Sequence, residues 1–250
     1  MSLPKPYYEA EGITIYNADC RDILPHLEPV DLVLTDPPYG MNNNPDSSRF
    51  SGGTEGHISQ RGHGGKFKQP IIGDNKPFDP SPFLLFKKVI IWGFNHFASR
   101  LPVGSTLVWI KRFDAAFGTF LSDAELAWMK GGCGVYCRKD LSLTKETRLR
   151  SHPNEKPLSL MKWCIEKAGE AGTILDPFMG SGTTLVAAKN LGRKAIGIEI
   201  SQAYCDVAIK RLSQKILPLD GEKKIKEGQT VSQLSMLNGV ASDTKSDKVG

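Results

Sequence analysis

Asp36, Pro37, Pro38 and Tyr39 close the run VDLVLTDPPYG, where a short apolar stretch meets two prolines. Proline has no amide hydrogen to give a sheet ladder and fixes its own φ, so the Pro-Pro pair ends a strand and stiffens the turn after it. A carboxylate and a carbonyl are thereby held in fixed relation, with an aromatic ring close behind. Such a turn can present two hydrogen-bond acceptors and a stacking face to a ligand. Alternatively, Asp36 can satisfy the turn's own amides while Tyr39 covers surface.

A second constellation is DPFMGSGTT, Asp176 to Thr184. Gly180 and Gly182 fall between an apolar strand pattern and a helical one, where backbone can approach a ligand closely and helix N-terminal amides point outward. Ser181 and Thr183 belong to the same turn. Leu185 occupies the place of the third glycine of a dinucleotide fingerprint, and no Lys-Ser or Lys-Thr follows Gly182 as a P-loop requires. The pattern therefore favours a nucleoside ligand without phosphates. Glu199 ends the next strand pattern, where an acid can accept from both ribose hydroxyls or stand as a solvated strand-end carboxylate. Phe178 can cover the ligand or fill the core. Asp176 can accept from a ligand ammonium or cap the turn through backbone amides.

Taken together and in this order, these motifs resemble the DNA amino-methyltransferases, which methylate exocyclic amines of adenine or cytosine. The resemblance is to the permuted β-type order, with DPPY ahead of the cofactor motif, and to adenine methylases of phage or prophage kind. It rests on NADC at Asn17 to Cys20, DPPY at Asp36 to Tyr39, HPNEKPLSLM at His152 to Met161, DPFMGSGTT at Asp176 to Thr184 and AIGIEIS at Ala195 to Ser201. It implies S-adenosylmethionine as cofactor, with Asp19 near its adenine, Glu199 near its ribose and Lys156 near its methionine carboxylate. The family's commoner Thr-Gln-Lys-Pro is replaced here by Asn154-Glu155-Lys156-Pro157.

The resemblance also assigns the acid and the aromatic. An exocyclic amine is a poor nucleophile because its lone pair is delocalised into the ring, and acceptors aimed at its hydrogens localise that pair. Asp36 would accept one hydrogen and the Pro37 carbonyl the other, fixed in advance by the prolines. Tyr39 would stack on a base extruded from the duplex. Ring-carbon methylation needs a cysteine nucleophile, usually after proline, and no Pro-Cys pair occurs in the chain. Aspartate in DPPY favours N6-adenine over the N4-cytosine amine, which shares the geometry. A catalytically silent DNA-binding subunit of the same fold is the reading from another class.

Double-stranded DNA is the expected partner. The net charge of +5 suits a polyanion. Arg138, Lys139, Lys145, Arg148 and Arg150 form the candidate phosphate-contacting set, in a short recognition region at about 112–151. A homodimer stays open, and a restriction-modification setting is one of several that the motifs allow.

These residues need a scaffold, and the hydropathy periods outline one. ITIYNA and VDLVLT read as strands with a brief helix, CRDILPHL, between them. VIIWG and STLVWIKR read as strands around a helix at FNHFASRL, and SDAELAWM has capping-box spacing from Ser122 to Glu125. KPLSLMKWCIEKAGE carries an apolar stripe of Leu158, Met161, Ile165 and Ala168. TILDP, SGTTLVAAKNLG and AIGIEI form a βαβ unit, and QAYCDVAIKRLSQ a last amphipathic helix. The alternation predicts an α/β, Rossmann-like methyltransferase fold built on a mostly parallel, doubly wound sheet. One domain over 1–215 is expected, with an inserted mobile loop at 41–76 and a disordered polar tail at 216–250.

Five scattered cysteines, an odd number, fit reduced thiols and a cytoplasmic protein. Cys133 and Cys137 lack a second ligand pair at metal spacing, so no metal is expected. No run of about 18 apolar residues reads as a membrane span.

Overall fold

The computed structural model describes residues 3–41, 73–118, 122–141 and 155–214. Residues 42–72 of the inserted loop, Lys145, Arg148, Arg150 and the tail 216–250 lie outside them.

Eight strands form one sheet: β1 (Tyr8–Ala10), β2 (Ile13–Asn17), β3 (Leu32–Thr35), β4 (Val89–Trp92), β5 (Gly104–Ile110), β6 (Ala124–Lys139), β7 (Thr173–Asp176) and β8 (Lys194–Glu199). Their order is β1-β2-β8-β7-β3-β4-β6-β5. β2, β8, β7, β3 and β4 run parallel, while β1 is antiparallel to β2 and β6 antiparallel to β4. The fold is thus mixed α/β with a mostly parallel sheet, consistent with a Rossmann-like arrangement.

The strands are continuous apolar runs because helical or turn segments cover both faces. Side chains alternate across a strand, so neighbours in sequence enter different cores. Leu32, Leu34, Ile90, Trp92 and Ile174 join one core, and Val33, Val89, Ile91 and Leu175 the other. The first core is covered by α2 (Leu158–Lys167), α3 (Thr183–Asn190) and α4 (Gln202–Ser213), through Met161, Cys164, Leu185, Ala188 and Cys205 among others. The second is covered by α1 (Cys20–Ile23) with Ile23, and by Phe78, Phe83 and Phe97.

Two local expectations fail. FNHFASRL is not an α-helix but two 3-10 turns, Phe94–His96 and Ala98–Arg100, after a left-handed Gly93. SDAELAWM is not a helix either. It enters β6, where Ala127 faces one core and Trp128 the other, and Ser122 Oγ donates to the Ala124 carbonyl rather than accepting from an N-terminal amide. Period-two burial between β4 and β5 outweighs a local capping signal. β6 also turns at Gly131 and Gly132, with φ of 84° and 67°. Its first half pairs with β5 in antiparallel register, Thr106 opposite Trp128, and its second half in parallel register, Thr106 opposite Val135.

Among the described residues, no helix is long and apolar enough to cross a membrane, and no group of three or more His, Cys, Asp or Glu could hold a metal ion.

Candidate active site

The parallel strands β3, β7 and β8 end side by side, and their carboxyl ends carry Asp36, Asp176 and Glu199. A cavity of about 640 Å³ lies there, lined by Asp19, Asp36, Lys156, Phe178, Gly180 and Glu199 among others. This is where open parallel sheets bind ligands, because the loops diverge beyond the strand ends.

The cofactor-motif side is built around two carboxylates. Asp176, 4% exposed, accepts from Thr35 Oγ1 at 2.7 Å, Thr184 Oγ1 at 2.5 Å and the Phe178 amide at 3.2 Å. It therefore ties the end of β3, the glycine turn and the start of α3 together. Burial pushes its carboxyl up to about 6 against the lowering effect of those donors. Glu199 accepts from the Gly180 amide at 3.0 Å and the Ser201 amide at 2.8 Å, and burial raises its pKa. Gly182 caps α3 at φ 79°, and a Cβ there would sit 2.7 Å from the Ala208 Cβ. Arg211 of α4 donates to the Ser181 carbonyl and hydroxyl and to the Thr183 hydroxyl. Phe178 packs edge-on to Phe78 and Phe83, with ring centroids 5.9 and 6.1 Å away. Asp19 caps α1 and pairs with Arg21 at 2.5 Å.

These residues fit a nucleoside ligand without phosphates. Gly180, Ser181 and Thr183 of the glycine turn line the cavity while Gly182 packs on Ala208, two carboxylates stand at neighbouring strand ends, and Phe78, Phe83 and Phe178 form an apolar wall on the same cavity.

The DPPY side has a different character. The Tyr39 hydroxyl donates to Asp36 Oδ1, and Lys156 Nζ lies 2.5 Å from Asp36 Oδ2. Burial, with the Asp36 charge beside it, raises the Tyr39 hydroxyl well above the usual tyrosine range. The Tyr39 ring stacks on His96, centroids 4.9 Å apart and planes 15° from parallel. Gly93 is required beneath it, since a Cβ there would meet Tyr39 Cε1 at 2.0 Å.

Lys156 also reaches Glu125 Oε2 at 3.1 Å and lies 5.7 Å from the Trp92 ring centroid. Burial opposes its charge, but Asp36, Tyr39 and Glu125 outweigh that penalty and hold the ammonium well above the usual lysine range. Burial likewise works against the Glu125 carboxylate, yet Lys156 and Lys111 bring it down to about 2. The resemblance placed Lys156 at a cofactor carboxylate, whereas its ammonium is engaged by Asp36 and Glu125, although the residue also lines the cavity.

Of the basic residues, Arg138 faces Asp140 at 3.8 Å and Lys139 pairs with Asp114 at 2.5 Å. Lys145, Arg148 and Arg150 lie outside the described residues. Sequence reasoning overlooked Glu125, Lys111, His96 and Arg211. Glu125 gave one signal, an acid directly before the apolar run LAWM. The others gave none.

A family model described as DNA methylase, of N6/N4 type, matches residues 108–210. The span takes in Glu125, Lys156, the glycine turn and Glu199. Over that span the chain is similar to the N6/N4 DNA methylases. A methylase similar over nearly its whole length is the Type II methyltransferase M2.LlaDCHI of Lactococcus lactis subsp. cremoris, 27% identical over 259 residues, covering 85% of this chain and 93% of the relative. Among solved structures, the M1.HpyAVI complex with S-adenosylmethionine aligns with a TM-score of 0.52 at 24% identity, over 80% of this chain and 99% of that chain. The cytosine-N4-specific PvuII methyltransferase aligns at 0.51 and 14% identity, over 86% and 89%. At these identities the two structures support the methylase fold and nothing finer.

Proposed function

We propose that this chain transfers a methyl group from S-adenosylmethionine to the N6 amine of adenine in double-stranded DNA. The observation that carries the reading is the convergence of Asp36 with Gly180 and Glu199 on one cavity, although 140 or more residues separate them in sequence. A signature for holding an amine and a turn for holding a nucleoside thus share one site.

Bound S-adenosylmethionine supplies a methyl group on a positively charged sulfur. The glycine turn and Glu199 would hold its ribose, Phe178 would wall its apolar parts, and Asp176 and Asp19 would add carboxylates to a site receiving positive charge. On the other side, Asp36 Oδ1 and the Pro37 carbonyl accept the two amine hydrogens and leave the nitrogen lone pair free for attack. As the N–C bond forms, the methyl–sulfur bond would break and its electron pair stay on sulfur as a neutral thioether, while the nitrogen becomes cationic and must release one proton, which Asp36 is placed to receive. No covalent link to the protein is needed, so positioning and fixed charge carry the reaction. The ring of Tyr39, backed by His96, offers a stacking platform for an extruded base.

Adenine is favoured because a carboxylate is a stronger acceptor than a hydroxyl and the DPPY form resembles the adenine enzymes. The test uses unmethylated duplex DNA, methyl-labelled cofactor, nucleoside digestion and mass spectrometry. N6-methyladenine is expected. N4-methylcytosine as the main product overturns the base assignment but keeps the mechanism, and no methylated nucleoside overturns the reading.

A further inference from the structure

Resting on that reading, we infer that Lys156 and Glu125 are positioning residues for the amine-accepting carboxylate: Glu125 holds Lys156 against Asp36 Oδ2, leaving Oδ1 turned to the substrate and the trio one negative charge in excess.

The geometry assigns each part. A carboxylate has about four acceptor positions on its two oxygens. Lys156 Nζ, 2.5 Å away, takes the Oδ2 side of Asp36, and the Tyr39 hydroxyl fixes Oδ1 from the ring side without exhausting it. Asp36 is thus held before any base arrives, and reorganisation at the moment of transfer is small. The Lys156 side chain is 6% exposed and backed by Trp92, so its ammonium has little freedom to leave.

Charge decides why Glu125 is needed. A buried lysine beside Asp36 alone would cancel the carboxylate, and the site would face a cationic cofactor and a nitrogen turning cationic with no net charge. Glu125 Oε2 at 3.1 Å restores one net negative charge to the trio. Lys111 touches Glu125 at 2.8 Å from the outer side, where both side chains are about one third exposed. Solvent screens that outer pair more than the inner one. Glu125 and Lys156 reach the site from β6 and from the segment before α2, two elements outside both signature turns.

The test compares Glu125→Gln, Lys156→Met and Lys156→Arg with the parent enzyme. Two quantities are measured: calorimetric affinity for S-adenosylmethionine, and single-turnover methyl transfer to unmethylated bacteriophage λ DNA with both substrates saturating. Glu125→Gln and Lys156→Met are expected to lose about tenfold or more in the transfer rate while cofactor Kd stays within about threefold. Lys156→Arg, which keeps the charge, should retain more rate than Lys156→Met. A cofactor affinity that falls as far as the rate would place Lys156 at the cofactor and overturn the inference, as would unchanged rates. Should Lys156→Met fail to fold, the near-isosteric Glu125→Gln decides alone. Should the parent enzyme transfer no methyl group, the functional reading falls separately, and the cofactor affinity of Lys156→Met still decides on which side Lys156 acts.

Discussion

Arg211 and Glu155 form an ion pair at 2.8 Å, with side chains only 19% and 11% exposed. The same guanidinium holds Ser181 and Thr183, so one cation joins α4, the glycine turn and the residue preceding Lys156. Arg211→Met leaves the Glu155 carboxylate without this cation and frees the turn. Its cost should be about 2 kcal/mol in a urea melt, since a largely buried ion pair and the hydrogen bonds to Ser181 and Thr183 are lost together. Cofactor affinity should fall about tenfold or more by calorimetry. Arg211→Lys should recover little, because a point charge cannot serve the fork of partners. Unchanged affinity alongside the stability loss would confine Arg211 to holding the fold.

The two sides of the cavity should separate in mutants. Gly182→Val places a β-branched side chain at φ 79° and into Ala208, so it should cost about 1–3 kcal/mol of stability and remove cofactor binding. Asp36→Ala should do the opposite, abolishing methyl transfer while cofactor Kd moves only about two- to threefold. Parallel losses of binding and turnover in Asp36→Ala would contradict that division.

Burial sets a pH dependence at Asp176. Its folded pKa, about 6, lies above the ordinary 3.8, so the folded state binds more protons than the unfolded state between those values. Stability then falls as pH rises through that window, and the ionised carboxylate costs about 3 kcal/mol at neutral pH. Glu199, also raised by burial, adds in the same direction. Asp176→Asn lacks this dependence. Relative to the parent, it should gain about 2–3 kcal/mol between pH 4 and pH 7 in denaturant melts, and a constant difference would show that Asp176 does not titrate there.

Phosphate contact should be uneven across the basic set. Arg148→Ala and Arg150→Ala should weaken DNA binding and lower the slope of log K against log salt by about one per lost contact. Arg138 faces the buried Asp140, so Arg138→Ala should cost stability more than it changes the salt slope. Filter binding across a salt series separates these outcomes.

The strands LVLT, VIIW and TILD were legible because an apolar run bounded by turn residues has few other uses, and the glycine turn because its backbone demands are local. Local signals also explain the errors. Ser122 to Glu125 has the spacing of a helix start, and only the slot between β4 and β5 turns those residues into β6. Asp36, Tyr39 and Lys156 were identifiable as chemistry, but the contacts of Asp36 with Lys156 and of Tyr39 with His96 were not. Lys156 meets Asp36 across 120 positions, and Arg211 meets Ser181 across 30. Glu125 joins them because β6 lies beside β4, which lies beside β3. No spacing within one element encodes such meetings, since they depend on strand order, and strand order is settled by burying two sheet faces at once rather than by any residue's own preference. Sequence by itself determined which turns could hold a nucleoside and an amine. The tertiary structure decided that both open on one cavity, and which buried charges stand behind the acid.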